Sequence, residues 1–427
     1  MPTFDTPQEI EARQLDGIRQ LIAHIDPGNP FYAPRVQEAG LSRGVDSLEE
    51  FREKIPFTDK SELAIDQEKN PPYGTNLSQP LTAYTRLHQT SSTTGKPLRW
   101  LDTTASWSWM VDGWVEVLRA AGVTAEDRVM VAFSFGPFIG LWLGFEAAAR
   151  IGCLTIPGGA MNSETRLKAI LANEATVLCC TPTYALRLGD VALEQDIDLS
   201  RSKVRKIVVG GEPGASVPAT RALIESRWAG ARLFDHYGMT EAGPVTFQCT
   251  EDASVVHALE AYHYCEVIDP ATGAPSAPDS DDLGELVLTN LGRLGSPVLR
   301  YRTGDLVRAR RGACACGRHN LSFAGGILGR ADDMIQVRGV NLYPTAIDQI
   351  VRGCEEITEY RVEIRTERGM TELDVQIECT PGTDPDGLRT RLETAFRDTY
   401  NLRIPVSAVP TDSLPRFELK AKRWVRV

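Results

Sequence analysis

Apolar and polar positions alternate in short blocks between Val129 and Gly238. VMVAFSF, LTIPGG, TVLCCTP and KIVVGGEP are apolar runs that end at glycine or proline or shift to polar residues, and they predict strands. The segments between them have helical spacing: GLWLGFEAAARIG, SETRLKAILANEA with Ser163 as its N-cap, TPTYALRLGDVALE and GASVPATRALIESRWAG. Strands that alternate with helices predict an α/β fold with a parallel, doubly wound sheet.

The flanking regions have different patterns. Residues from about 8 to 63 are charged and helical in spacing, whereas residues from about 245 to 328 contain short β-rich segments and many turn residues. After Arg330 the order is β-α-β-β-α-β, which predicts a small α+β unit. We therefore expect an N-terminal domain over 1–330, with a β-rich subdomain at about 245–328, and a C-terminal domain over 331–427.

Composition narrows the class of protein. The 427 residues suggest two or three domains, and 42% apolar residues are ample for large cores. A net charge of −11 makes a nucleic acid or an anionic membrane surface an improbable partner. The chain has no apolar run of membrane-spanning length, its polar start does not resemble a secretory signal, and its nine cysteines favour a reducing compartment. We expect a cytoplasmic enzyme.

One loop has the composition of a phosphate-binding loop. HQTSSTTGKPLRW contains hydroxyl side chains, a glycine and a lysine in succession: Ser91, Ser92, Thr93, Thr94, Gly95 and Lys96. Main-chain N–H groups and hydroxyls can surround phosphate oxygens, and lysine adds positive charge. The segment is not a Walker loop, because Pro97 follows the lysine and Thr90 stands at the first glycine position.

Two further segments follow predicted strands, where ligands bind in open α/β sheets. The first is Gly210, Gly211, Glu212 and Pro213, whose glycines allow a flat base to approach the main chain. The second is DHYGMTEAGP, with Asp235, Tyr237, Gly238, Met239, Thr240 and Glu241 as candidate nucleotide ligands. Glu241 is a suitable oxygen ligand for Mg²⁺.

The stretch from Tyr301 to Pro344 carries the longest pattern. It reads YRTGDL, then GRADDMIQVRGVNLYP. Asp305 can hold ribose hydroxyls, Arg330 can contact a nucleotide, and Asp332 lies where the chain could pivot.

Together with SSTTGKP and YGMTE, this pattern resembles the adenylate-forming ligase superfamily, nearest to its phenylacetate-CoA ligase branch. The resemblance implies use of ATP, Mg²⁺ and CoA, a mobile C-terminal domain that pivots at Asp332, and a GGEP segment that lines the adenine pocket. It implies that Tyr237 stacks on adenine, that Thr240 bonds the α-phosphate and that Arg338 and Gly339 approach the pantetheine of CoA. Ser92 and Leu419 each replace a glycine that is usual in the family.

The resemblance also implies a catalytic lysine near the C-terminus. LPRFELKAKRW matches the family segment in which a lysine neutralises charge between the carboxylate and the phosphate. Lys420 has the matching spacing, and Lys422 is the alternative.

The acyl site is expected where the family has an aromatic loop and a small-residue turn. The residues at these places are Phe135, Gly136 and Phe138, then Gly158, Gly159 and Ala160. Ordinary core packing is the alternative interpretation of the aromatic residues. Lys60 is a candidate for the substrate carboxylate, against the commoner case of an exposed lysine.

Cysteines and a histidine predict a structural zinc site. Cys314 and Cys316 form a C-x-C turn, and a tetrahedral site needs two more ligands. The resemblance implies Cys249 and His257, spaced C-x₇-H just after YGMTE, as the best candidates for them. His263, Cys265 and His319 are alternative ligands, and two free thiols in a turn are the alternative interpretation.

The overall prediction is an AMP-forming carboxylate–CoA ligase for an aryl or arylacetic acid. One alternative is an adenylating enzyme that passes the acyl group to a carrier-protein thiol or another nucleophile. Another is a nucleotide-binding protein without catalysis. The family resemblance also suggests a homodimer.

Overall fold

A computed structural model describes residues 4–26, 28–90, 97–338, 340–367, 370–417 and 421–427. Its α-helices are α1 Pro7–Ile25, α2 Ala33–Glu38, α3 Leu48–Lys54, α4 Lys60–Lys69, α5 Thr104–Ala120, α6 Ile139–Ile151, α7 Ser163–Ala172, α8 Pro182–Glu194, α9 Pro218–Arg227, α10 Pro344–Arg352 and α11 Pro385–Tyr400. Within these residues, we find no helix with the length and apolar character needed to span a bilayer.

The strands fall into several sheets. In chain order they are β1 Tyr84–Gln89, β2 Arg99–Thr103, β3 Arg128–Val131, β4 Leu154–Pro157, β5 Val177–Cys180, β6 Lys206–Val209, β7 Arg232–Asp235, β8 Gly238–Met239, β9 Gly243–Pro244, β10 Thr246–Gln248, β11 Val255–Ala258, β12 His263–Ile268, β13 Gly284–Asn290, β14 Tyr301–Val307, β15 Ala309–Arg310, β16 Ser322–Ala324, β17 Gly329–Arg330, β18 Ile335–Val337, β19 Val340–Leu342, β20 Ile357–Glu367, β21 Met370–Cys379, β22 Val406–Val409 and β23 Trp424–Arg426.

The predicted parallel sheet is confirmed as one five-stranded sheet with the order β4-β3-β5-β6-β7. Its side chains alternate between two cores: Met130 packs with the α7, α8 and α9 side, whereas Val129 and Val131 pack with α5 and α6. Both faces are therefore covered by helices, as the continuous apolar strands predict. The predicted Ser163 cap is wrong by one residue, because the side chain of Asn162 accepts the N–H of Thr165 at 2.8 Å.

The region that was predicted to be β-rich forms two antiparallel four-stranded sheets. Their orders are β10-β11-β16-β15 and β12-β13-β14-β17. Strand β10 begins five residues after Glu241, so the first sheet continues directly from the YGMTE segment.

The C-terminal part is a separate α+β unit, as predicted. A hairpin of β18 and β19 precedes α10, and then a mixed sheet with the order β22-β21-β20-β23 packs against α11. The hairpin replaces the single strand that the sequence suggested, because the chain reverses after Arg338, whose φ is 50°. The position of the domain boundary near residue 330 stays a prediction.

Candidate active site

Two of the predicted nucleotide-binding segments meet at the carboxyl ends of β6 and β7. A side chain at Gly210 would place its Cβ 2.6 Å from the carbonyl oxygen of His236, so only glycine allows the two loops to approach this closely. The main-chain N–H of Asp235 donates to Gln248 at 2.9 Å, and its carboxylate accepts from Ser216. Residues 210–213 and 235–241 thus line one edge of the parallel sheet.

Asp305 is joined to the YGMTE segment and to Arg330, which lies just before the predicted pivot. Its Oδ2 accepts from the Tyr237 hydroxyl at 2.5 Å, and its Oδ1 lies 3.1 Å from Nη1 of Arg330. Arg330 also pairs with Asp332, with 2.8 Å between Nε and Oδ1. Burial raises the pKa of Tyr237 well above its usual value, which keeps the phenol protonated as a donor. Each carboxylate oxygen can still accept a further hydrogen bond, so Asp305 remains able to receive ribose hydroxyls.

Glu241 is buried and faces a lysine from the N-terminal helices. Its Oε1 lies 3.3 Å from Nζ of Lys60 and 3.2 Å from the hydroxyl of Tyr301. Lys60, a candidate from its sequence for the carboxylate of the acid, therefore contacts the predicted magnesium ligand. A lysine here adds positive charge where phosphate oxygens are expected to collect.

A buried ion pair that was not predicted from the sequence supports the YGMTE turn. Arg293 and Asp102 are both fully buried, with distances of 2.7 Å from Nε to Oδ1 and from Nη2 to Oδ2. Nη1 of Arg293 donates to the carbonyl oxygens of Thr240 at 2.6 Å and Glu241 at 2.9 Å. Because these partners lie far apart in the chain, no local pattern in the sequence indicated the pair.

The predicted acyl residues form an aromatic cluster beside the sheet. The Phe135 ring meets Trp142 and Phe145 edge-on, at centroid distances of 4.8 and 5.5 Å. A Cβ at Gly159 would lie 2.7 Å from the Phe135 ring, so the two predicted segments are in direct contact. The indole of Trp142 donates to the carbonyl oxygen of Gly136 at 3.0 Å and holds this loop.

The loop that holds Gly136 and Phe138 is hydrogen bonded to β1, the strand that precedes the predicted phosphate loop. Phe138 lies at the start of α6, with its ring 6.4 Å from that of Phe133. Gly158 accepts a hydrogen bond from Arg166 at 2.7 Å, and Ala160 adopts a φ of 59° in the same turn. The N–H of Gln89 donates to Pro137 at 2.8 Å. The acyl loop therefore lies beside the end of β1, the strand that precedes the predicted phosphate loop.

Several predicted residues lie outside the described part of the chain, namely Ser91 to Lys96, Gly339 and Lys420. Thr90 and Leu98, which flank the first group, are joined by two hydrogen bonds of 3.0 Å. Ala421, which follows Lys420, donates its N–H to Oε2 of Glu212 at 3.0 Å. Arg338 makes a bidentate pair with Glu372 of β21 within the C-terminal unit.

The four predicted zinc ligands lie together beside the sheet of β10, β11, β16 and β15. The ligand atoms of Cys249, His257, Cys314 and Cys316 all lie within 4.8 Å of one another. The Sγ atoms of Cys249 and Cys314 are 3.6 Å apart, and Sγ of Cys316 is 3.4 Å from Nε2 of His257. The alternative ligand His263 contacts the carbonyl oxygen of Pro244 at 2.6 Å.

The fold and the grouping of these segments define an enzyme of the adenylate-forming class. The AMP-binding enzyme family matches residues 50–292, and its C-terminal domain matches residues 339–426. Phenylacetate-coenzyme A ligase of Pseudomonas putida is 33% identical over 86% of this chain and 82% of its own length. The chain therefore belongs to the AMP-binding enzyme family, among its AMP-forming acid–CoA ligases.

A solved relative has been captured in two states of its reaction. 2-Hydroxyisobutyryl-CoA ligase in the postadenylation state with 2-HIB-AMP has a TM-score of 0.92 at 26% identity, covering 100% of this chain and 94% of that one. The same enzyme with 2-HIB-AMP and CoA in the thioesterification state has a TM-score of 0.73 at 27% identity, covering 99% and 90%. The present structure therefore resembles the postadenylation arrangement more closely.

Proposed function

We propose that this ligase activates an aromatic carboxylic acid as its acyl-adenylate and transfers the acyl group to CoA. The observation that carries the proposal is the contact between Phe135 and Gly159, which joins the loops after β3 and β4 into an aromatic cluster. This cluster follows the carboxyl ends of parallel strands, as the GGEP and YGMTE segments do after β6 and β7. Aromatic rings provide apolar area and edge-to-face contacts for a flat substrate.

The reaction has two steps at one site. A carboxylate oxygen of the acid attacks the α-phosphorus of ATP, and the bond from that phosphorus to the bridging oxygen of pyrophosphate breaks. The CoA thiol, after losing its proton, then attacks the acyl carbon, and AMP leaves with the electrons of the acyl–oxygen bond. The first step brings a carboxylate towards a triphosphate, so positive charge near the α-phosphate lowers its barrier.

The residues of the predicted site, of which Ser91 to Lys96 lie outside the described part of the chain, supply that environment in specific ways. Tyr237 stacks on adenine, Asp305 receives the ribose hydroxyls, and Thr240 donates to the α-phosphate. Lys60 lies close enough to Glu241 to balance charge on the phosphates once the carboxylate binds a cation. Ser91 to Lys96 surround the outer phosphates, and Gly210 to Pro213 line the base. Asp235, Gly238 and Met239 complete the lining of the adenine pocket.

Glu241 fits a magnesium ion, because it is a buried carboxylate at the carboxyl edge of the sheet. When bound, Mg²⁺ would screen the negative charge of the phosphates. The protein's contribution is to hold the carboxylate in place through Tyr301 and through the main-chain contacts from Arg293.

A panel of acids tests the proposal. Aryl and arylacetic acids are expected to support ATP–pyrophosphate exchange and CoA-dependent release of AMP, at rates well above those for short aliphatic 2-hydroxy acids. A clear preference for a short aliphatic acid would contradict the aromatic specificity. Production of ADP in place of AMP would contradict the formation of an acyl-adenylate.

Transfer to a carrier-protein thiol is the alternative for the second step. AMP release measured with and without CoA separates the two acceptors. If the protein binds ATP but shows no pyrophosphate exchange with any acid, the non-catalytic nucleotide-binding alternative holds. A homodimer and a cytoplasmic location remain predictions from the family resemblance and from the cysteine content.

The cysteine and histidine cluster is proposed to hold structural Zn²⁺. Bond lengths of about 2.3 Å to sulfur and 2.0 Å to nitrogen imply ligand separations of about 3.5–3.8 Å in a tetrahedron, and the distances of 3.4 and 3.6 Å agree with this. Burial lowers the pKa of His257 to about 4, so its imidazole is neutral at pH 7. Four protein ligands leave no open position, so the ion would support β10 and β11 and would not activate water.

Replacing Cys314 by serine is expected to remove most of the zinc and to lower the melting temperature by about 3 °C or more, about 2 kcal/mol for a domain of about 330 residues. Metal analysis of the purified protein and calorimetry measure both quantities. Cys354→Ser is the matched control, because this cysteine lies in the C-terminal unit outside the cluster. If Cys314→Ser and Cys354→Ser keep the same metal content and melting temperature, the zinc assignment is wrong.

A further inference from the structure

Glu212 joins the sheet edge to the C-terminal unit through both of its carboxylate oxygens. Oε1 accepts the N–H of Thr183 at 2.8 Å, in the first turn of α8. Oε2 accepts the N–H of Ala421 at 3.0 Å. The first bond fixes the orientation of the carboxylate, so the second oxygen is presented to the C-terminal unit in a defined direction.

The chain on either side of the undescribed residues 418–420 is held by buried carboxylates of the C-terminal unit. Glu378 is fully buried and accepts from the N–H groups of Asp412 at 3.0 Å and Leu414 at 2.5 Å. Nη2 of Arg416 lies 2.6 Å from Oε2 of Glu378.

On the far side, Glu359 pairs with Arg423 at 2.7 Å. Burial alone would raise the pKa of Glu378 and of Glu359, but their arginine partners and main-chain donors outweigh it, so the pKa of each is lowered. Both carboxylates therefore stay ionised. Because they fix both flanks, a contact at Ala421 constrains the position of the whole C-terminal unit.

We propose that Glu212 is a positioning residue that holds the C-terminal unit in the arrangement for acyl-adenylate formation, by accepting the N–H next to Lys420. This inference rests on the proposed function and on the predicted role of Lys420, which is to neutralise charge between the carboxylate and the phosphate in the first step. The higher similarity to the postadenylation state, with TM-scores of 0.92 and 0.73, agrees with it. The contact must break before thioester formation, because that step uses a different arrangement of the C-terminal unit.

Glu212→Gln tests this role with little change in shape. The amide has a single acceptor oxygen, so it can keep the bond to Thr183 only by turning its NH₂ group towards the N–H of Ala421. Loss of one charge-assisted hydrogen bond is expected to reduce pyrophosphate exchange about tenfold. Thioester formation from supplied acyl-AMP and CoA is expected to be unchanged or faster, because that step no longer begins by breaking the contact.

Thr181→Ala is the matched control for damage to α8. The hydroxyl of Thr181 caps the same helix by accepting the N–H of Tyr184 at 3.2 Å, and it makes no bond to the residues of the C-terminal unit that the structure describes. It should lower the melting temperature and leave the ratio of the two half-reaction rates unchanged. If Thr181→Ala and Glu212→Gln change this ratio equally, Glu212 is only a helix cap and the proposal is wrong.

An interdomain distance gives a readout that is independent of activity. Spin labels carried by non-canonical residues at the exposed positions 168 and 389 would report one main distance in the wild type and a broader distribution in Glu212→Gln. Identical distributions in the two proteins would overturn the proposal, as would a higher KM for ATP as the sole effect of the substitution. If the wild type shows no exchange with any acid, the proposed function fails, whereas the distances in ligand-free protein still decide the role of Glu212.

Discussion

Replacing Arg293 by methionine is expected to lower the free energy of unfolding by about 3–5 kcal/mol. The substitution leaves the carboxylate of Asp102 fully buried without its bidentate partner. It also removes both hydrogen bonds that hold the main chain at Thr240 and Glu241. Urea denaturation followed by fluorescence measures the loss, and Trp100 lies beside the guanidinium as a local reporter.

The double variant Arg293→Met with Asp102→Leu separates stability from catalysis. Replacing a buried ion pair by apolar side chains is often neutral, so we expect the double variant to recover most of the stability. Apolar side chains cannot replace the hydrogen bonds from Arg293 to the YGMTE turn, so pyrophosphate exchange should stay low. Full recovery of both properties would mean that Arg293 contributes only to folding.

The parallel sheet could be predicted because its signals are local. Each strand is an apolar run, and each is followed by a segment with helical spacing, so the order of elements follows without knowledge of the packing. The predicted N-cap of α7 was wrong by one residue. Asn162 and Ser163 can both cap α7, and the structure uses Asn162.

The zinc ligands could also be proposed from the sequence, because the C-x-C turn is specific and the family resemblance pointed to Cys249 and His257 for the other two positions. The pair of Arg293 and Asp102 could not, because arginine and aspartate are common and usually exposed. Only their burial against the YGMTE turn shows what they do. The contacts of Glu212 could not be predicted either, because its two oxygens accept main-chain N–H groups from α8 and from Ala421, which lie far from it in the chain.

Replacing Lys420 by alanine is expected to reduce acyl-adenylate formation by about 10²–10³-fold, the usual effect of removing one strong electrostatic group at a reacting centre. The reason is charge: a carboxylate has to approach a phosphate that is already negative, and the lysine offsets the repulsion. Thioester formation from supplied acyl-AMP is expected to be spared, because the lysine has no part in that step. Stopped-flow measurement of each half-reaction tests the separation.

Lys422→Ala is the matched comparison, since it removes the same charge two residues further along the chain. Lys422 precedes Arg423, which is fixed to Glu359, and the N–H of Ala421 is fixed to Glu212. Residues i and i+2 of an extended segment share a face, so side-chain direction does not separate the two lysines and only the comparison of the two variants does. If Lys422→Ala loses adenylate formation and Lys420→Ala does not, the catalytic role moves to Lys422. If either variant slows both half-reactions equally, a role in the first step alone is wrong for that residue.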